Sequence, residues 1–184
     1  DALADGATTT DSYILIGKVS EITSAYNSKF GNVSFKINDG KFDVLVYRYN
    51  LDDAATIKVG DSIAIAAPMK KYGTTLEAVA TFVKLNVTDL AAASAAGLDG
   101  TGVAGTMVYG RITEIGTAYN EGYNNISFTI SDGTTDLYCF RVKGGADLQV
   151  GDYVLVIGKP VKYNSNAQID KGATYIKNGI YVAE

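Results

Sequence analysis

Residues 32–38 alternate without a fault: Val33, Phe35 and Ile37 on one side, Ser34, Lys36 and Asn38 on the other. A period of two predicts a half-buried β-strand. The same reading extends along the chain. Asp1–Thr10 is small, polar and loose. Ser12–Ile22 is a first strand with Gly17 inside it, and a glycine there marks a bend or bulge. Thr23–Lys29 reads as a loop. Asp39-Gly40 is a hairpin turn signal, and Asp43–Tyr49 is the next strand. Asn50–Lys58 is an irregular connection. Val59-Gly60-Asp61 turns into a strand at Ser62–Pro68. Lys70–Thr74 is a loop with a Tyr-Gly turn, and Leu76–Val87 closes the pattern.

The pattern then occurs again. Ile16–Arg48 aligns with Tyr109–Arg141 at a constant offset of 93, and fourteen of the 33 positions are identical. Gly17 recurs as Gly110, Ala25-Tyr26-Asn27 as Ala118-Tyr119-Asn120, and Asp39-Gly40 as Asp132-Gly133. Val59-Gly60-Asp61 recurs as Val150-Gly151-Asp152 at an offset of 91, so one loop is two residues shorter. A unit of this length is a whole small domain rather than one turn of a solenoid. Between the copies, Thr88–Gly97 (TDLAAASAAG) carries a Thr/Asp cap, an Ala-rich body and a terminal Gly. It predicts a short helix. Asp1-Ala2-Leu3-Ala4 reads as the stub of its counterpart. The expected domains are therefore 1–87 and 88–184, with a lead-in helix at about 88–97. The Gly-rich stretch Leu98–Thr106 is expected to give hinge freedom.

About five strands per repeat suit a small closed barrel better than a sandwich, for which about seven are usual. The fold class expected is all-β: two tandem five-stranded barrels, each with a short helical lead-in. Val, Ile, Thr, Tyr and Gly are abundant, in keeping with strands and turns. No apolar run is long enough for a transmembrane helix. The net charge of −4 argues against binding driven by a broad basic surface. With a single cysteine, Cys139, no internal disulfide can form.

Catalysis finds little support. There is no histidine, so the commonest general base and metal ligand is missing. Cys139 falls at an inward strand position, as a small hydrophobe. No phosphate loop or nucleophile elbow is present. Asn50-Leu51-Asp52-Asp53 is the only dense acidic cluster, and one cluster is a thin basis for a calcium site. No catalytic residue, metal or cofactor is assigned.

The ordered set G-[KR]-[IV]-x-E-I, N-[IV]-S-F-x-I-x-D-G, an aromatic strand ending in Arg, V-G-D, and a late K-Y resembles the oligonucleotide/oligosaccharide-binding (OB) fold. More narrowly it resembles OB-like domains, often beside an Ala-rich helix, in exported proteins of gut anaerobes that are commonly labelled nucleic-acid-binding-like. That resemblance, with a first residue other than Met, implies an exported, periplasmic or cell-surface protein. The family places ligands across strands two and three, between the loops joining strands one to two and four to five.

On strand two, alternation turns Ser34, Lys36, Ser127 and Thr129 outward. On strand three it turns Leu45, Tyr47, Tyr49, Tyr138 and Phe140 outward and Val44, Val46, Leu137 and Cys139 inward. Arg48 and Arg141 end that strand. The first loop adds Tyr26 and Asn27, repeated as Tyr119 and Asn120. The late loop adds Lys71 and Tyr72, repeated as Lys162 and Tyr163. Rings beside Lys and Arg suit stacked bases, and rings beside Asn and Ser suit sugars. The expected function is a non-catalytic binding module for a glycan, a single-stranded nucleic acid or a protein partner. The alternative is a structural spacer whose aromatic faces pack between modules or in a dimer. Oligomeric state is not legible.

Overall fold

A computed structural model describes residues 3–38 and 43–177. Asp1-Ala2 and the Asp39-Gly40 turn lie outside them. The described residues fall into two compact units, 3–85 and 86–177.

The first unit is a closed ring. Its long first strand β1 (Thr8–Asn27) is followed by β2 (Asn32–Asn38), β3 (Asp43–Tyr49), β4 (Ser62–Tyr72), β5 (Thr75–Ala78) and a two-residue β6 (Val83–Lys84). The hydrogen-bonded order is β1-β2-β3-β5-β4, with β4 returning to β1. Only the β3–β5 pairing is parallel. This is the OB arrangement.

Closure depends on one bent strand serving two partners. β1 pairs with β4 up to Lys18 and with β2 from Lys18 onward. At the hand-over the backbones come too close for a side chain. A Cβ on Gly17 would stand 2.6 Å from Ile37 Cγ2 and 2.9 Å from the Asn38 carbonyl carbon. The glycine is there for that close approach.

The second unit follows the same path with β7 (Thr106–Asn120), β8 (Asn125–Ser131), β9 (Asp136–Lys143), β10 (Tyr153–Gly158), β11 (Pro160–Tyr163), β12 (Asn166–Ile169) and an added edge strand, β13 (Thr174–Lys177). Its fourth ring strand is in two pieces, broken before Pro160, which has no N–H to give to a ladder. β7 hands over from β10 to β8 at Arg111, the repeat partner of Lys18.

Each unit has its own core. Phe35, Val46, Tyr49 and Ile65 are wholly buried in the first, and Phe128, Ile130, Cys139 and Val156 in the second. Helix α1 (Leu90–Asp99) belongs to the second unit. Asp89 caps it by accepting the Ala92 N–H at 2.6 Å, and Gly100 ends it at φ 82°. Leu90 and Ala93 are fully buried in the second core.

Four expectations need correction. Residues 23–27 are strand rather than loop, because bulges in the β1–β2 ladder break the period of two that would have exposed it. β4 runs on to Tyr72, leaving only a two-residue hairpin turn before Thr75. Residues 98–106 are tied to the second unit: Gly102 N–H donates to Ala96 O at 2.9 Å, and a Cβ on Gly102 would meet Pro160 Cβ at 3.0 Å. That segment is no hinge. Finally, residues 3–7 form a turn closed by Ala7 N–H to Ala4 O at 3.0 Å, with no helix among the described residues of that lead-in.

Candidate ligand-binding faces

The outer face of β2 and β3 is shaped by one device, present in both units. Val33 pairs with Tyr49 and Phe35 with Val46, so Ser34 alone opposes Tyr47 and Arg48. Two residues against one is a β-bulge. Arg48 takes the left-handed conformation, φ 55°, which costs an L-residue roughly 1–2 kcal/mol. The Ser34 hydroxyl oxygen compensates by accepting the Arg48 N–H at 3.0 Å. The second unit repeats every part. Ile126 pairs with Val142 and Phe128 with Cys139. Arg141 has φ 46°, and Ser127 Oγ accepts its N–H at 3.0 Å.

The bulge resets the phase of the strand. Tyr47 and Arg48 both face outward, and the next residue turns in. Tyr49, expected outward by alternation, is fully buried between Phe35 and Phe82, with ring centroids at 5.5 and 5.3 Å. Ser34 and Ser127, also expected on the face, are buried beneath it, because their hydroxyls are needed by the bulge. What the face presents instead is a guanidinium laid over a ring. Arg48 Cζ lies 5.0 Å from the Tyr47 centroid and Arg141 Cζ 5.0 Å from that of Phe140. Such a contact contributes about 0.5–1 kcal/mol at an exposed site.

The flanking hairpins stand at opposite ends of the face. Leu45 beside Glu77 puts the β4–β5 tip at the Asp43 end of β3, and Val33 beside Tyr49 puts the β1–β2 tip at the other. A seven-residue strand makes the run between them about 20 Å. Tyr72 and Tyr163, at 70% and 63% exposure, sit on the β4–β5 and β11–β12 tips. Lys71 and Lys162 precede them. Tyr26 is exposed, whereas its partner Tyr119 is half-buried, packed on the core, and donates its hydroxyl to Asn124 Oδ1 at 3.0 Å. Asn27 and Asn120 close their turns, accepting the N–H of Lys29 and of Tyr123, each at 3.0 Å. Lys36 is drawn to Glu21 at 2.7 Å, and that carboxylate raises its pKa, first through the hydrogen bond.

Two aromatics on the hairpin tips were missed in the sequence. Phe30 and Tyr123 are 65% and 79% exposed, and Lys29 Nζ sits 5.4 Å from the Phe30 centroid. They occupy equivalent repeat positions, which was the available signal. The acidic stretch at Asp53 is a packing lock: Tyr49 donates to Asp53 Oδ1 at 2.7 Å, and Lys84 pairs with its other oxygen. Burial pushes the Asp53 carboxyl up, but the bonds from Lys84 and Tyr49 outweigh it and hold it below the usual carboxylate value. Burial pushes the Cys139 thiol up, away from nucleophile chemistry. Among the described residues no three His, Cys, Asp or Glu side chains are grouped to hold a metal ion, and no helix is long and apolar enough to cross a membrane.

No family model matches the sequence, and no curated protein matches it. Among solved structures, the chain is similar to a murine DNA-binding protein bound to double-stranded DNA, at 12% identity over 94% of this chain and 98% of that one, TM-score 0.37. It is similar to the Ifi202 HINa domain in complex with 20-base-pair DNA, at 14% identity over 95% and 100%, TM-score 0.34. It is also similar to the tetrameric p202 HIN2, at 14% identity over 96% and 98%, TM-score 0.31. At these values the likeness carries no argument, and the OB arrangement rests on the strand pairings themselves.

Proposed function

We propose that the chain is a non-catalytic binding module in which each barrel uses the outer face of its second and third strands for an extended ligand with flat rings, a glycan or a single-stranded nucleic acid. The observation that carries this reading is the duplicated arginine-over-aromatic pair on a left-handed bulge. A glycine or asparagine would hold that backbone at less cost, yet both copies carry Arg next to a ring, exposed Tyr47 in one and half-buried Phe140 in the other. Local backbone strain of this kind tends to gather at functional sites. Tyr26, Phe30 and Tyr72 in the first unit, and Tyr123 and Tyr163 in the second, extend the face with further rings. An exported setting is part of the proposal and rests on the sequence resemblance alone.

The test uses the full chain against fluorescein-labelled dT15 by anisotropy, and against neutral soluble polysaccharides by affinity electrophoresis. Binding to at least one class is expected, weakened about tenfold or more in Arg48→Ala/Arg141→Ala, the size of a 1.4 kcal/mol loss. A nucleic-acid ligand will show a steep fall with salt, and a neutral sugar will not. No binding to either class, or a double variant that binds as the parent does, overturns the reading.

A further inference from the structure

The two faces are not equivalent, and the differences fall on one row. In the second unit, strand register sets Glu114 beside Thr129, Thr129 beside Tyr138, and Tyr138 beside Gln168. Neighbouring strands lie about 4.8 Å apart, so the row spans roughly 14 Å. The first unit places Glu21, Lys36, Leu45 and Glu77 at the same stations. There, Lys36 closes on Glu21 at 2.7 Å, and the third station is aliphatic.

Three exchanges change what the second row can bind. Thr129 for Lys36 leaves the Glu114 carboxylate with no cation at ion-pair distance among the described residues. Gln168 for Glu77 replaces a carboxylate with an amide at the covered end of the row, where both residues are buried. Tyr138 for Leu45 adds a ring 6.4 Å from Phe140, tilted 32° to it, next to the Arg141 guanidinium. That ring has room because residue 116 is glycine where the first repeat has Thr23. A Cβ on Gly116 would stand 3.0 Å from Tyr138 Cε2 and 3.3 Å from its hydroxyl.

Resting on the binding-module reading, we infer that the second barrel is the glycan-binding half of the chain and that its Glu114–Thr129–Tyr138–Gln168 row takes a neutral sugar chain. The two-ring platform of Tyr138 and Phe140 packs against the C–H face of a pyranose. The Glu114 carboxylate accepts from sugar hydroxyls, and the Thr129 hydroxyl both donates and accepts. A phosphate backbone laid across the same row would meet an uncompensated carboxylate at its β7 end, so charge complementarity selects against a polyanion. Gly116 is a positioning residue, acting through the ring it admits.

The test transplants first-repeat residues into the second barrel of the full chain: Gly116→Thr and Tyr138→Leu, each a residue that the first barrel already tolerates at that station. Probes are dextran, soluble starch, galactomannan and a mixed-linkage β-glucan by affinity electrophoresis, with dT15 as the polyanion and circular dichroism as the fold check. Retardation by at least one polysaccharide is expected, indifferent to salt between 50 and 200 mM, the range over which a phosphate-bound complex weakens by orders of magnitude. It should fall about tenfold in Tyr138→Leu and in Gly116→Thr. Polysaccharide binding that survives both second-barrel changes overturns the inference and leaves the binding reading intact. So does binding of dT15 alone. Binding of neither probe overturns both.

Discussion

Replacing Arg48 or Arg141 by alanine and by glycine tests the bulge on which the face depends. Each side chain lies on a ring, exposed Tyr47 or half-buried Phe140, so either change removes a cation–π contact of about 0.5–1 kcal/mol. Alanine keeps the cost of φ 55° or 46°, roughly 1–2 kcal/mol for any residue with a Cβ. Glycine removes that cost and adds about 0.5–1 kcal/mol of unfolded-state entropy. The net expectation is that alanine destabilises its unit by about 1 kcal/mol while glycine is close to neutral. In an extended strand the order is opposite, with glycine worse than alanine by about 0.5–1 kcal/mol. Urea unfolding followed by tyrosine fluorescence reads the difference, since the chain has 13 Tyr and no Trp. If alanine proves more stable than glycine at both positions, the left-handed bulge is not there and the face built on it falls. Ligand binding should drop in both variants, which separates the guanidinium's part from the backbone's.

Ser34→Ala and Ser127→Ala should each cost about 0.5–1.5 kcal/mol by urea unfolding, because a partly buried N–H loses its acceptor; a change well under about 0.5 kcal/mol would mean that the hydroxyl is not needed. Gly17→Ala should destabilise the first barrel more than Gly110→Ala does the second, since the nearest side-chain atom stands at 2.6 Å in one and 3.1 Å in the other; equal midpoint shifts would refute the close-approach argument. Asp53 and Asp147 sit below their usual pKa, Asp147 chiefly through the Tyr175 hydroxyl. Their contribution is therefore present above the ordinary carboxyl pKa and lost as pH falls through the lower folded value. Stability measured from pH 5 to 8 should be flat, with the loss confined to strong acid; a transition near pH 6 would contradict this. Tyr175 is pushed up to about 12 by burial and then by Asp147, so its contribution should fade from the ordinary tyrosine pKa near 10 toward 12, absent in Tyr175→Phe.

Much of this was legible from periodicity and repetition. The strand at 32–38 showed in its alternation, the α1 cap in Asp89, and the inward place of Cys139 in the strand phase. The repeat identified Gly17 and Gly110 as structural before any backbone was seen. What stayed hidden shares one cause: period two assumes an unbroken ladder. The bulge at Arg48 cancels that assumption in mid-strand, so alternation puts Tyr49 on the wrong side and Ser34 on the surface. The same fault turned residues 23–27 into a loop. Arginine is also a poor advertisement for a left-handed backbone, which Gly or Asn would have announced. The face was found in outline, but which of its residues have their polar atoms committed, as Lys36, Asn27 and Asn120 do, depends on partners far along the chain.

The repeat also records one requirement met in two ways. In the first barrel the Tyr49 hydroxyl donates to Asp53 at 2.7 Å, with Phe82 packed beside it at 5.3 Å and Lys84 on the other carboxylate oxygen. The second barrel has Val142 at the repeat partner of Tyr49, and its edge strand sets Tyr175 beside Val156 where the first barrel sets Lys84 beside Ile65. There it is Tyr175 that donates, to Asp147 at 2.6 Å, with Lys177 close by. The hydroxyl has moved from the ring strand to the edge strand, onto the station that Lys84 holds in the first barrel, and the lysine lies two residues further on. The expectation is a specific coupling. Tyr49→Val alone should cost about 3–5 kcal/mol, from the lost ring volume and a lost bond to a carboxylate. Lys84→Tyr alone should gain nothing, because Tyr49 already occupies the acceptor and the Lys84 ion pair is lost. Together they reproduce the second barrel's solution, and the pair should recover at least about 1 kcal/mol relative to the sum of the singles in a double-mutant cycle. A coupling indistinguishable from zero would show that the hydroxyl–carboxylate bond does not fasten the end of the barrel, and that the ring alone does.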